Sequence, residues 1–178
     1  MAASTGLCIP TAMHHKGLSV KDVVLFGVLG ALTFAAKYVM SPLPNIEPVS
    51  LMVMVFAVTF GWRALYPIYT YVAMEFLFYG LGKWSVCYLY VWLILAVAAI
   101  LLRTMTNPVG WAVLSGAFGL LFGTLCAVVD VFVGGFHYAV VQWVGGISFD
   151  LMHCAGNFAI ALILFVPMRK LLNKLYHQ

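Results

Sequence analysis

The sequence predicts an all-α, polytopic membrane protein of six membrane-spanning helices with both ends in the cytoplasm, and three observations carry that expectation. Of 178 residues, 65% are hydrophobic and only 8% charged, with a mean hydropathy of +1.06, which leaves too little polar surface to coat a water-soluble globule. The apolar residues form long continuous runs, not the alternation of barrel strands, so backbone pairing inside a bilayer has to be helical. Lys and Arg gather near one set of run ends, which sets the orientation.

Each span needs roughly 17–25 mostly apolar residues, and charged, Pro and Gly positions divide the chain accordingly. Residues 1–17 lack an apolar stretch of signal-peptide type and are expected to be a cytoplasmic tail. A single membrane domain over 18–172 follows, with a second tail at 173–178. The first span is expected at Val20–Met40, started by Ser19 and closed by Ser41-Pro42-Leu43-Pro44-Asn45-Ile46-Glu47-Pro48. The second covers Val49–Phe60, and Gly61-Trp62-Arg63 turns it into a third at Ala64–Tyr79. A fourth is expected at Trp84–Leu102, a fifth at Pro108–Val133 and a sixth at Ile147–Pro167. Lys16, Lys21, Arg63, Arg103, Arg169, Lys170 and Lys174 then share one side, taken as cytoplasmic. Lys83 falls opposite and Lys37 near the outer end of the first span. The loops Ser41–Pro48, Gly80–Lys83 and Gly134–Gly146 are expected outside.

Several chemistries lack their residues. Gly82-Lys83 is followed by Trp84 and preceded by no matching glycine, so no phosphate loop is present and the chain is expected to hydrolyse no ATP. His14-His15 have no further ligand at zinc spacing, and no metal, cofactor or nucleic-acid partner is expected. Cys8, Cys87, Cys126 and Cys154 have no metal spacing and read as small packing residues, not disulfides. Ser148 and His153, five residues apart, diverge by about 140° around a helix, which weakens a serine-hydrolase reading.

Charge inside a bilayer is costly unless paired or hydrated, so Glu75, Asp130 and Asp150 are the informative acidic positions. Asp150, His153 and Asn157 fall at i, i+3 and i+7 on one helix face. Asp150 and His153 are expected to line an outward-facing pocket, with Asn157 a deeper interhelical clasp. Glu75, beside Tyr69 and Tyr71, reads as a buried protonated or tyrosine-bonded group. Trp84, Tyr88 and Trp92 recur at four-residue spacing, an aromatic stripe suited to a flat ligand. Gly27, Ala31 and Ala35 make a small-residue stripe on helix one, and Gly119, Gly123 and Ala127 another on helix five, either of which could serve internal packing or a partner.

With these features the chain resembles the substrate-binding components of energy-coupling factor vitamin transporters, multi-pass proteins of the prokaryotic plasma membrane. The resemblance rests on the six-span layout, the Gly27/Ala31/Ala35 stripe, the Leu43–Pro48 loop and the block from Gly145 to Phe158. It implies an importer subunit, not an enzyme, which captures a vitamin or related micronutrient and docks on a membrane scaffold subunit carrying two ATPases. Gly27, Ala31 and Ala35 would contact the scaffold, and the loaded subunit would topple in the bilayer to deliver its ligand. The family's outer-half pocket implicates Asn45, Glu47, Trp84, Tyr88, His137, Tyr138, Gln142, Asp150 and His153. Cobalamin is the first expectation for the ligand, since the pocket residues mix aromatics, amides, His and carboxylates. An intramembrane enzyme using Asp150 and His153 and a non-catalytic assembly subunit are the alternatives.

Overall fold

The computed structural model describes residues 17–43 and 46–176, and among them every regular element is helical. Helix α1 spans Val20–Met40, α2 Val49–Phe60, α3 Leu65–Tyr79, α4 Lys83–Leu101 and α5 Pro108–Tyr176. A short 3₁₀ turn, Gly61–Ala64, joins α2 to α3. Four helical stretches are long and apolar enough to cross a membrane: α1, the α2–α3 unit, α4 and α5. The N-terminal tail through Lys16, with Cys8 and the His14-His15 pair, as well as Pro44, Asn45, His177 and Gln178, lie outside the described residues.

Helix α1 begins where the sequence places it. Asp22 N donates to Ser19 Oγ at 3.1 Å and Ser19 N to Asp22 Oδ2 at 3.0 Å, a reciprocal cap that satisfies two otherwise unpaired donors of the first turn. Helix α2 ends at Gly61, whose φ of +59° suits a residue without Cβ and redirects the chain.

Helix α5 is two helices in one run. Its backbone leaves helical geometry at Gly135, φ +81°, and the two arms fold back on each other. Trp111 stacks on Phe165 at 4.4 Å, Gly119 lies against the His153 backbone, and Gly123 against Asp150, so the contacts climb toward Gly135 from both sides. The expected outer loop Gly134–Gly146 is therefore mostly helix. The arm after Gly135 begins at 136 and passes through Pro167 to Tyr176, overrunning the expected Ile147–Pro167 span at both ends. Only one left-handed residue is needed to reverse the chain. Pro167 is accommodated within the run.

Contacts fix the remaining directions. Phe26 stacks on Tyr66 at 5.8 Å and Lys37 meets Glu75 at 2.8 Å, so α1 and α3 run parallel, with α2 returning between them. Helix α4 runs against the first arm of α5: Lys83 pairs with Asp130 at 2.8 Å, and one to two turns on, Tyr90 Oη donates to Leu125 O at 2.7 Å.

Helix α2 is the hub. Ten of its twelve residues are buried, so a helix apolar on every face is enclosed by its neighbours. Twelve residues make only about 18 Å of helix, against about 30 Å of bilayer hydrocarbon. Near its start Ser50 Oγ accepts from Asn157 Nδ2 at 2.9 Å, and that amide also donates to Ser115 O at 3.2 Å. Asn157 is thus the expected clasp, and it marks the level at which α2 begins. Above that level the described residues include no central helix.

Candidate ligand-binding site

The space above α2 is a cavity of about 700 Å³. Four elements build its wall: Glu47 from the α1–α2 loop, Lys83, Trp84 and Tyr88 from α4, Phe122, Gly123, Cys126 and Asp130 from the first arm of α5, and a face of the second arm running from Val141 to His153. Each set follows helical geometry. Residues 122, 123, 126 and 130 share one face of their arm, as do 142, 145, 146, 149, 150 and 153 of theirs.

Toward the interior, Tyr88, Phe122 and His153 form the floor. Phe122 meets the His153 ring edge-on at 5.0 Å and packs against Tyr88 at 6.3 Å. Beneath them Trp92, 2% exposed, fills the gap between Tyr88 and Phe118. The aromatic stripe of α4 is real but divided by depth: Trp84 and Tyr88 line the cavity, whereas Trp92 supports it. His153 is 4% exposed, touches the cavity, and has no hydrogen-bond partner among the described residues.

The carboxylates are treated differently. Asp130, 4% exposed, is neutralised by Lys83 at the mouth. Behind the Tyr88 wall, Lys37 Nζ donates to Glu75 Oε2 at 2.8 Å and to Tyr88 Oη at 3.1 Å. Glu75, expected as a buried group either protonated or tyrosine-bonded, is buried but pairs with a lysine of α1, because parallel packing of α1 on α3 brings Lys37 to its level. Asp150, 7% exposed, accepts a hydrogen bond from Gly123 N at 3.1 Å and has no cationic partner among the described residues. Glu47 Oε2 is buried without a hydrogen bond among the described residues. Burial pushes the Glu47 carboxyl above its ordinary range; Lys37 pulls it down and Glu75 pushes it up.

A disulfide crosses the wall, Cys87 of α4 to Cys126 of α5, which corrects the expectation that these cysteines only pack. Cys87 lies one turn after Lys83 and Cys126 one turn before Asp130, so one antiparallel register creates both the disulfide and the ion pair. Cys154 is free. The small stripe of helix five also resolves inward: a Cβ at Gly119 would sit 2.8 Å from the His153 backbone, and one at Gly123 would run into the Asp150 carboxylate. By contrast, a Cβ at Gly27 would meet nothing within 4 Å among the described residues, and the close approach on α1 is made by Gly30 against Pro67 and Thr70 of α3.

Of the expected binding residues, Glu47, Trp84, Tyr88, Gln142, Asp150 and His153 meet at one cavity. His137 and Tyr138 do not line it: they belong to the first turn after Gly135, where His137 is exposed and Tyr138 packs against Gly134. Asn45 lies outside the described residues. Lys83, Phe122, Gly123, Cys126, Asp130, Trp143 and Phe149 were missed. The face through 122, 126 and 130 was legible as a helical period, but the face before Ile147 was hidden by reading it as a loop. Ser148 is exposed while His153 is buried, in keeping with their divergence on the helix.

Comparison of the chain with protein-family models, with curated proteins and with solved structures finds no match. The site has to be interpreted from its own chemistry.

Proposed function

We propose that the chain is the substrate-binding subunit of an energy-coupling factor importer, crossing a prokaryotic plasma membrane six times with both termini inside. The observation that carries this reading is the cavity: about 700 Å³, walled by aromatics with a few buried polar groups, as small-molecule sites are, and confined to the end of the bundle away from the basic residues. Lys21, Arg63, Arg103, Arg169, Lys170 and Lys174 fall at the opposite end, so by the positive-inside tendency the cavity opens outward. The Cys87–Cys126 disulfide supports the same orientation, since such bonds persist in oxidising compartments. The unpacked Gly27/Ala31/Ala35 face of α1 would meet the scaffold subunit, and two partner ATPases would supply the energy that a chain without a phosphate loop lacks. Within this reading the ligand is a vitamin or related micronutrient, and a cavity of about 700 Å³ favours a compact one over a corrinoid such as cobalamin.

The test is ligand binding by the purified chain in detergent, without nucleotide or partner subunits. One member of a panel of water-soluble vitamins and their precursors is expected to raise the melting temperature by several degrees and to bind one per chain. A panel that leaves the melting temperature unchanged throughout sinks the proposal.

A further inference from the structure

We infer that the ligand is a flat aromatic molecule carrying a protonated nitrogen, which it presents to Asp150 and Glu47. This rests on the binding-subunit reading and deepens it. Four of the chain's five acidic residues, Glu47, Glu75, Asp130 and Asp150, stand in or against the cavity. Only two Lys or Arg residues accompany them among the described residues, and both are engaged: Lys37 with Glu75 and Lys83 with Asp130.

Two carboxylates are left over. Among the described residues, Asp150 is 7% exposed and has one backbone amide for company, and Glu47 has a buried oxygen with no hydrogen bond. A buried carboxylate without a direct ion pair is costly, Lys37 offsetting that of Glu47 only in part, and a cationic group in the cavity would lower the cost for both. An anionic ligand would instead add like charge to a wall whose only Lys or Arg, among the described residues, is already paired. The remaining wall suits the body of such a ligand. Trp84, Tyr88, Phe122, Trp143 and Phe149 offer ring faces and edges to a flat aromatic and to a cation alike. His153, buried yet unpartnered and open to the cavity, supplies a ring nitrogen for a second polar contact.

The experiment uses the purified full chain and matched compounds that change the charge on or beside a ring: 3-picolylamine, nicotinamide and nicotinate; tryptamine beside indole-3-acetate; thiamine beside uncharged thiochrome. Melting temperature and equilibrium dialysis are read for each, together with the vitamin panel. The expected result is that every stabilising compound carries a protonated or fixed positive nitrogen, and that Asp150→Asn weakens its binding about ten- to a hundredfold. If Asp150→Asn does not elute as a folded species, Glu47→Gln carries the same comparison. Stabilisation by a neutral or anionic compound as strong as by its cationic counterpart, or binding untouched by the carboxamide variant, overturns the charge assignment and leaves the binding-subunit reading standing. A panel without any stabilising compound overturns both.

Discussion

Glu47 sits between α1 and α2, and burial holds its carboxyl above the ordinary value of 4.5. A folded state that binds a proton more tightly than the unfolded chain loses stability as pH rises from the unfolded value through the folded one. Glu47→Gln removes that slope. The variant should match the parent near pH 4 and melt at a higher temperature than the parent at pH 7.5; a parent that is the more stable at pH 7.5 would contradict the burial argument. Two glycines give a second contrast at this scale. Gly119→Ala places a methyl group 2.8 Å from the His153 carbonyl carbon, and overpacking of this kind costs about 1–3 kcal/mol. Gly27→Ala meets nothing within 4 Å and should leave the melting temperature unchanged or slightly raised, since Ala is the better helix former. Differential scanning fluorimetry of the two variants side by side distinguishes the packed stripe from the open one.

At the scale of elements, the disulfide ties α4 to the first arm of α5 across 39 residues of sequence. In the chain-entropy account a loop of that size is worth up to about 4 kcal/mol. Reduction, or Cys87→Ser with Cys126→Ser, should therefore lower the melting temperature and slacken the cavity wall that Cys126 lines. Alkylation followed by mass spectrometry checks the bond itself: reduction of the denatured chain should add two labelled cysteines. Helix α1 packs along one side and is open along the other. Phe26, Leu29, Gly30, Thr33 and Phe34 pack inward, while Val24, Val28 and Leu32 stay exposed around the small residues. Ala31→Trp should accordingly preserve ligand binding by the purified chain and abolish uptake by cells, because bulk blocks a close helix approach. Loss of binding together with uptake would mean that the stripe packs internally.

The molecule as a whole is polarised. Lys21, Arg63, Arg103, Arg169, Lys170 and Lys174 occupy one end, and the cavity with its carboxylates occupies the other. Under the proposed topology this polarity would set the orientation in a bilayer. A single reporter cysteine at exposed His137, in a chain whose other cysteines are replaced, should react with a membrane-impermeant maleimide on intact cells. A reporter at exposed Arg103 should react only after permeabilisation. The opposite pattern would invert the proposed topology and place the cavity inside. The polarity also bears on how α2 ends up central and short. A helix apolar on all faces gains most by full burial, and with no polar face it cannot line water. Polar side chains of α4, α5 and the α1–α2 loop take over above it, and there the cavity opens.

Much of this was decided by local sequence. Long apolar runs, the Ser19 cap, and the breaks at Gly61 and after Tyr79 set the helices α1 to α4, because helix formation and termination depend on neighbours within a few residues. The facing of Asp150, His153 and Asn157 was likewise readable from their spacing alone. What lay beyond it was every relation between helices. Only packing brought Lys37 to Glu75, paired Cys87 with Cys126, and turned Gly119 and Gly123 inward while leaving Gly27 open. The run from 134 to 146 was misjudged because its glycines resemble a loop, and only the second arm lying along the first shows that all but Gly135 remain helical. Period and composition determine what each helix can bury; which partner it buries against, and so where a cavity is left with two carboxylates that have no ion-pair partner among the described residues, depends on contacts between residues dozens of positions apart.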